Sequence, residues 1–235
     1  PIEFQEHTKD TAFFYYQNGY VEVSKKSIKL RPYSELTKKI WKNQILPRKF
    51  KAIKKADFES SCFYLFVRNI ANAWEVYPAN KKKKNVPDLK RFEAFQGIIG
   101  YLLHAYFEGK LKAAIFTDSR ISEDASGRTG KTLIMKALGH MLNTNRVAKT
   151  YVEINGKDFD PANDKFKYQS VGLDTKLIHI NDAPRGINIE LMFNDITEGV
   201  SRQRKNEAPT QVYVKMALST NRTIRIHGDS AKDRT

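Results

Sequence analysis

The chain is poor in several things, and each shortage narrows what it can be. One cysteine in 235 residues, Cys62, has no partner for an internal disulfide and no metal-ligand neighbours in sequence. A buried thiol is the expectation there. No apolar run approaches the ~20 residues that cross a bilayer, which excludes a membrane-spanning helix from the expected architecture. The opening residues Pro1, Ile2, Glu3, Phe4, Gln5 and Glu6 lack both the basic start and the apolar core of a secretory signal, and no initiator methionine precedes them. They read as the edge of a piece of a longer, cytoplasmic protein. Acid is scarce beside base: 26 Asp and Glu against 41 Lys and Arg leave a net charge of +15. That excess favours an extended polyanion as partner, because a cationic surface gains affinity by releasing counterions from phosphates.

What is present describes a globular protein. Hydrophobic residues make up 40% and charged residues 29%, enough for one large core or two smaller ones. Apolar alternation on either side of Asn18-Gly19 predicts a hairpin over 11–23, since positive backbone dihedrals are cheap at such a pair. From 34 to 107 the pattern is helical, with Phe92, Phe95, Ile99, Leu102 and Tyr106 recurring at intervals of three and four as a core-facing stripe. Within it Lys81, Lys82, Lys83 and Lys84 lie between Pro78 and Pro87, a solvated loop as readily as a nucleic-acid contact. Beyond Gly109, short apolar runs at 113–117, 151–154, 177–180 and 212–218 alternate with helical intervals at 132–142 and 189–198. Such alternation predicts an α/β fold with a mostly parallel sheet flanked by helices. The expected domains are a β-hairpin and helical region over 1–110 and an α/β core over 111–235.

Chemistry concentrates in that second part. Ala125-Ser126-Gly127-Arg128-Thr129-Gly130-Lys131-Thr132 follows one predicted strand and opens a predicted helix, the context a phosphate loop requires. Glycines let successive N–H groups turn toward phosphate, Lys131 supplies a point charge, and the Thr132 hydroxyl is a ligand for Mg²⁺. ATP and Mg²⁺ are therefore the expected cofactors, with Ser126, Gly127, Arg128, Thr129, Gly130, Lys131 and Thr132 as the cradle. Ala125 stands where the eight-residue pattern has its first glycine. A metal-side carboxylate is expected at the end of a neighbouring strand, and Leu177-Ile178-His179-Ile180-Asn181-Asp182 supplies Asp182. Asn181 stands where a second acid would polarise the attacking water; it orients water but takes no proton. His179, inside the strand, reads as packed or hydrogen-bonded rather than as a ligand. The strand ending Leu218-Ser219-Thr220-Asn221 brings Asn221 toward the γ-phosphate, and Arg234 is a candidate for charge stabilisation on a neighbouring subunit's nucleotide.

In this order, Gly130-Lys131-Thr132, Asn181-Asp182, Ser219-Thr220-Asn221 and Arg234 resemble the superfamily 3 helicases of the AAA+ type. The chain is especially similar to the helicase part of phage and plasmid primase-helicase proteins. The segment from Ile196 through Arg202, Arg204, Lys205 and Asn206 matches the stretch that leads into a pore hairpin in that family. The resemblance covers roughly 115–235. It implies a P-loop ATPase core, a ring that is usually hexameric around single-stranded or forked DNA, Lys205 with Arg204 as DNA contacts, Asn221 as sensor and Arg234 as trans-acting finger. It also implies a last sheet strand and C-terminal helices beyond Thr235. The function expected is an ATP-dependent DNA helicase motor of a mobile-element or phage replication protein. Two readings stand beside it. One is an ATP-binding, DNA-binding module that scarcely hydrolyses, because of Asn181. The other is a small-molecule kinase, for which no lid or substrate arginines are identifiable and which has no need of +15.

Overall fold

The computed structural model describes residues 3–71, 88–109, 111–118, 129–142, 150–222 and 224. Ala125, Ser126, Gly127, Arg128, Arg234 and the run from Lys81 to Lys84 lie outside them. By contacts the chain divides into two compact units, residues 51–101 and the remainder.

The larger unit is mixed α/β. Its N-terminal part is an antiparallel meander of β1 (Thr11–Tyr16), β2 (Gly19–Ser24) and β3 (Ile28–Arg31). The predicted hairpin is there, but its two-residue loop is Gln17-Asn18: Gly19 already opens β2, opposite Tyr16, and it alone of the Asn18-Gly19 pair has a positive φ. Residues 32–50 form no α-helix, contrary to the helical pattern expected from 34 onward; two short 3-10 turns stand there instead. The reason is pairing along the free edge of β1. Leu46 N–H donates to the Tyr15 carbonyl (2.9 Å) and Gln17 N–H to that of Arg48 (3.0 Å), so hydrogen bonds to the meander replace those of a helix. Arg48 in turn donates to the His140 and Met141 carbonyls (3.2 and 3.3 Å), satisfying groups at the end of a helix.

That helix belongs to the parallel sheet. β4 (Ala113–Phe116) is followed by α4 (Lys131–Leu142), β5 (Tyr151–Asn155), β6 (Leu177–Asn181), α5 (Phe193–Thr197), the ribbon of β7 (Val200–Arg202) and β8 (Thr210–Val212), and β9 (Lys215–Ser219). The four core strands are all parallel in the order β4-β9-β6-β5, so the last strand is inserted beside the first and every carboxyl end meets one rim. The apolar run predicted over 212–218 divides here: Val212 closes β8 and Lys215 opens β9.

Alternation decides what each face of the sheet does. Ile178, Ile180, Met216 and Leu218 enter an aliphatic core with Tyr168, Val171, Ile189, Met192, Ile196, Val200 and Val214. The residues between and beyond them in sequence, His179, Asn181 and Ser219, carry hydrogen bonds instead.

The smaller unit is helical. It contains α1 (Lys55–Glu59), α2 (Cys62–Ile70) and most of α3 (Leu89–Leu103). Ser61 caps α2 by accepting from Tyr64 N–H (3.3 Å), and Asp88 accepts from Arg91 N–H (2.9 Å) at the start of α3. Phe92, Phe95 and Ile99 pack with Phe63, Tyr64, Phe66, Val67 and Ala71, as the stripe predicts; Tyr106 lies beyond the helix. Cys62 is exposed, not buried, because the first turn of α2 gives Phe63 and Tyr64 to the cluster and leaves Cys62 to solvent. The division of the chain also differs from the break expected near 110. Residues 3–50 group with the parallel sheet: Leu46 is bonded to the meander at Tyr15, and Arg48 two residues on is bonded to the end of α4. Among the described residues no helix is long and apolar enough to cross a membrane.

Candidate functional site at the carboxyl rim of the sheet

Lys131 is the first residue of α4, and Gly130 before it has a φ of +90°, a conformation a side chain would strain. The first helical bond, Ile134 N–H to the Gly130 carbonyl (3.1 Å), starts the helix at that glycine. The first N–H groups of a 12-residue helix therefore open at the rim, with the positive end of its dipole.

Lys131 Nζ donates to Asp118 Oδ1 (2.5 Å) and to Thr129 Oγ1 (2.9 Å), and the Thr129 hydroxyl also donates to Asp118. Asp118 stands two residues past β4, and its side chain is only 7% exposed. Burial alone raises a carboxyl; here the bonds from Lys131 and Thr129 and the lysine charge outweigh it and hold Asp118 below the usual carboxylate range. An anionic oxygen thus already sits against the lysine.

The Thr132 hydroxyl lies 3.2 Å from Asn181 Oδ1, at the end of β6. Ser219, at the end of β9, donates to the same oxygen (3.1 Å), while Asn181 Nδ2 donates to Glu153 Oε1 (2.9 Å) on β5. Both ends of the Asn181 amide are thereby assigned: oxygen toward two hydroxyls, nitrogen toward a carboxylate. Behind it, His179 Nε2 is 2.8 Å from Ser219 Oγ and Nδ1 is 2.9 Å from the Tyr151 hydroxyl. Burial pushes the His179 ring down to about 4, against the opposing pull of Glu153, so at neutral pH it carries one proton. The Tyr151 hydroxyl also lies 3.3 Å from Glu153 Oε2; with its one proton given to the nearer Nδ1, a consistent chain runs Tyr151 to Nδ1, Nε2–H to Ser219, Ser219 to Asn181. Burial, and then the Glu153 charge, raise the Tyr151 hydroxyl, which keeps it a donor. The expectation that His179 is a hydrogen-bonded histidine matches this arrangement.

Asp182 follows at the same rim with a φ of +59°, the left-handed region that Asp tolerates better than most side chains. Its carboxylate faces Lys157 at 3.8 Å and is half exposed. Gly156 passes directly beneath: a Cβ there would meet the Ala183 nitrogen and the Asp182 carbonyl oxygen at 2.6 Å each. The loops after the strands are stitched together by Ala183 N–H to the Ser219 carbonyl (2.8 Å), Thr220 N–H to that of Phe116 (3.1 Å) and the Thr220 hydroxyl to that of Ala183 (2.9 Å). Asn221 is half-buried one residue beyond Thr220.

Thr129, Gly130, Lys131, Thr132, Asn181, Asp182 and Asn221 therefore gather at one rim. The Thr132 hydroxyl meets Asn181, whereas Asp182 faces Lys157. Thr132 gives its proton to Asn181 and keeps its oxygen lone pairs for a cation. Among the described residues no group of three or more His, Cys, Asp or Glu is arranged to hold a metal. Thr132 and Asp182 each offer an oxygen donor of the hard type that magnesium takes. Asp118, Glu153 and Tyr151 were not singled out by sequence. The signals were an acid two residues past an apolar strand, and polar positions alternating with Val152 and Ile154 in β5.

Arg204 and Lys205 lie in the connection between β7 and β8, which pair as an antiparallel ribbon. Arg204 is half-buried and donates to the Gln169 and Val171 carbonyls (3.1 and 3.3 Å), so its guanidinium anchors the turn. Lys205 is exposed beside it.

No family model matches the chain, and no curated protein matches it. Among the solved structures it is similar to are two of the C-terminal region of NrS-1 in its A-form apo state. One covers 92% of this chain and 55% of the solved chain at 14% identity, with a TM-score of 0.41. The other covers 90% and 54% at 15% identity, with a TM-score of 0.39. This chain spans about half the length of the solved chains it matches.

Proposed function

We propose that this chain is an ATP- and Mg²⁺-binding motor domain that acts on DNA, with the phosphates held at the start of α4. The observation that carries the reading is the convergence of Lys131 and Thr132, in the first turn of α4, with Asn181, Asp182 and Asn221 at the carboxyl rim. Open parallel sheets bind their ligands there, and a glycine-led helix start receives phosphate through free N–H groups. The order β4-β9-β6-β5 is compatible with a P-loop sheet.

Each residue then has a task. Lys131 leaves Asp118 and takes the β- and γ-phosphate oxygens, one anionic partner for another. Thr132 offers its hydroxyl oxygen, with its proton directed to Asn181, and Asp182 offers a carboxylate at the same rim. A bound Mg²⁺ would neutralise charge on the phosphate oxygens. Asn221 reaches the γ-phosphate side. Lys205, exposed on the ribbon, and the net charge of +15 support DNA as the polyanion. Arg234 as a finger in a hexameric ring belongs to the same reading.

A second reading, nucleotide binding with little hydrolysis, draws on one observation: the group against Thr132 is an amide, not an acid. The two separate on ATP hydrolysis by the full chain with and without single-stranded DNA. A motor is stimulated by the strand, and Lys205→Ala loses that stimulation while still binding ATP. Stimulation undiminished in Lys205→Ala removes the ribbon from the DNA path, and no hydrolysis under either condition favours the second reading.

A further inference from the structure

We propose that Glu153, on β5, is the general base of this site, supplying from the neighbouring strand the carboxylate that Asn181 lacks. The inference rests on the nucleotide-site reading above and adds to it the group that accepts the water's proton.

The geometry leads from the phosphate loop to this residue in two steps. Thr132 Oγ1 is 3.2 Å from Asn181 Oδ1, and Asn181 Nδ2 is 2.9 Å from Glu153 Oε1. One amide therefore spans the threonine that would face the metal and a carboxylate on the adjacent strand. The amide cannot turn over without loss: Ser219 and Thr132 both point protons at its oxygen, and reversal would set its N–H groups against them. Asn181 thus acts as a positioning residue that keeps Glu153 aimed at the rim.

Two other carboxylates stand nearby, and each is otherwise engaged. Asp118 accepts from the Thr129 hydroxyl, a bond that remains when Lys131 turns to phosphate, and its side chain is only 7% exposed. Asp182 faces Lys157 at 3.8 Å. Among the described residues no lysine or arginine pairs with Glu153; its ionisable neighbours are the Tyr151 hydroxyl, 3.3 Å from Oε2, and His179 at 3.8 Å, both neutral near pH 7. Its side chain is 36% exposed, so water reaches it. A carboxylate that is held in place, wet and not neutralised by a cation is suited to take a proton.

The step balances. The attacking water gives a proton to the Glu153 carboxylate as its oxygen bonds to the γ-phosphorus. The bond from that phosphorus to the β,γ-bridging oxygen breaks, and ADP leaves with the electron pair. Glu153 afterwards releases the proton to phosphate or solvent.

Glu153→Gln tests this, because glutamine keeps an oxygen for Asn181 and an NH₂ that can donate to the Tyr151 oxygen, while it loses the charge and the basicity. In the full chain the variant is expected to melt as the wild type does and to bind ATP with unchanged affinity by equilibrium titration. Its hydrolysis is expected to fall by about 100-fold or more, the usual range for loss of a positioned base. Adding Asn181→Asp to Glu153→Gln moves the acid by one strand and is expected to recover about tenfold or more of that loss, which a merely structural role for Glu153 does not predict. Hydrolysis by Glu153→Gln within a few-fold of wild type overturns the proposal, as does a loss of ATP affinity that matches the loss of rate. A wild type that binds ATP through Lys131 but does not hydrolyse it overturns Glu153 as base and leaves the nucleotide site standing. A wild type that binds no ATP overturns both.

Discussion

Along β6, Ile178 and Ile180 look into an aliphatic core, while His179 and Asn181 look the other way and carry hydrogen bonds; β9 repeats the contrast with Met216 and Leu218 against Ser219. The same strands thus perform two jobs, sorted by the two-residue period of the extended chain. The apolar face stabilises the sheet without directing anything. The polar face contributes little net energy per bond, yet it sets donors and acceptors from Tyr151 to Thr132 in one consistent order. A change on the first face should alter stability and spare the site's chemistry; a change on the second should alter that chemistry and, through His179, the response of stability to acid.

The contrast is sharpest at Ile180, fully buried in the aliphatic cluster. Ile180→Ala is expected to destabilise the chain by about 4 kcal/mol, the upper part of the range for a cavity in a packed core. Urea unfolding checks it, and a cost under about 1 kcal/mol would mean that this face is not the main source of stability.

Next comes acid sensitivity, which belongs to the polar face. His179 titrates near 4 in the folded chain against an ordinary value of 6.5, because burial disfavours its charged form. Between those values the unfolded chain binds the extra proton and the folded chain does not, so stability falls as pH drops from about 6.5 toward 4, by about 3 kcal/mol from this ring. His7 acts in the same direction: burial, then the charges of His104, Lys176 and Lys215, lower it to about 3. Unfolding free energies at pH 7 and pH 4.5 should differ less in His179→Gln than in wild type. Equal differences would contradict a neutral His179 between Tyr151 and Ser219.

The smallest effect tests where the faces end. Gly156→Ala sets a methyl against the backbone at Asp182 and Ala183, atoms that have little freedom to yield, and is expected to cost about 2 kcal/mol. Because it displaces Asp182, ATP binding should weaken in Gly156→Ala and not in Ile180→Ala measured well below its melting point. The opposite pattern would break the division of labour.

Features with a short-range cause were legible in sequence. The hairpin of β1 and β2, the strands of the parallel sheet and the start of α4 after Gly130 each follow from local pattern and turn chemistry. Features made by distant partners were not. Residues 34–54 carry a helical pattern, yet Leu46 and Gln17 bond across the β1 edge. Arg204 looks like a free cation until Gln169 and Val171 offer it carbonyls. Asn181 looks like a site short of an acid, since nothing in its own strand reveals that Glu153, 28 residues earlier and opposite His179 on β5, reaches its amide diagonally.

The central claim is that the Gly130-Lys131-Thr132 helix start grips a polyphosphate. Calorimetric titration of MgATP into the full chain, beside Lys131→Ala, tests it most directly. The account predicts saturable binding by the wild type, weakened in the variant by about tenfold or more, equivalent to about 1.4 kcal/mol or above. Equal affinity in both proteins would contradict it.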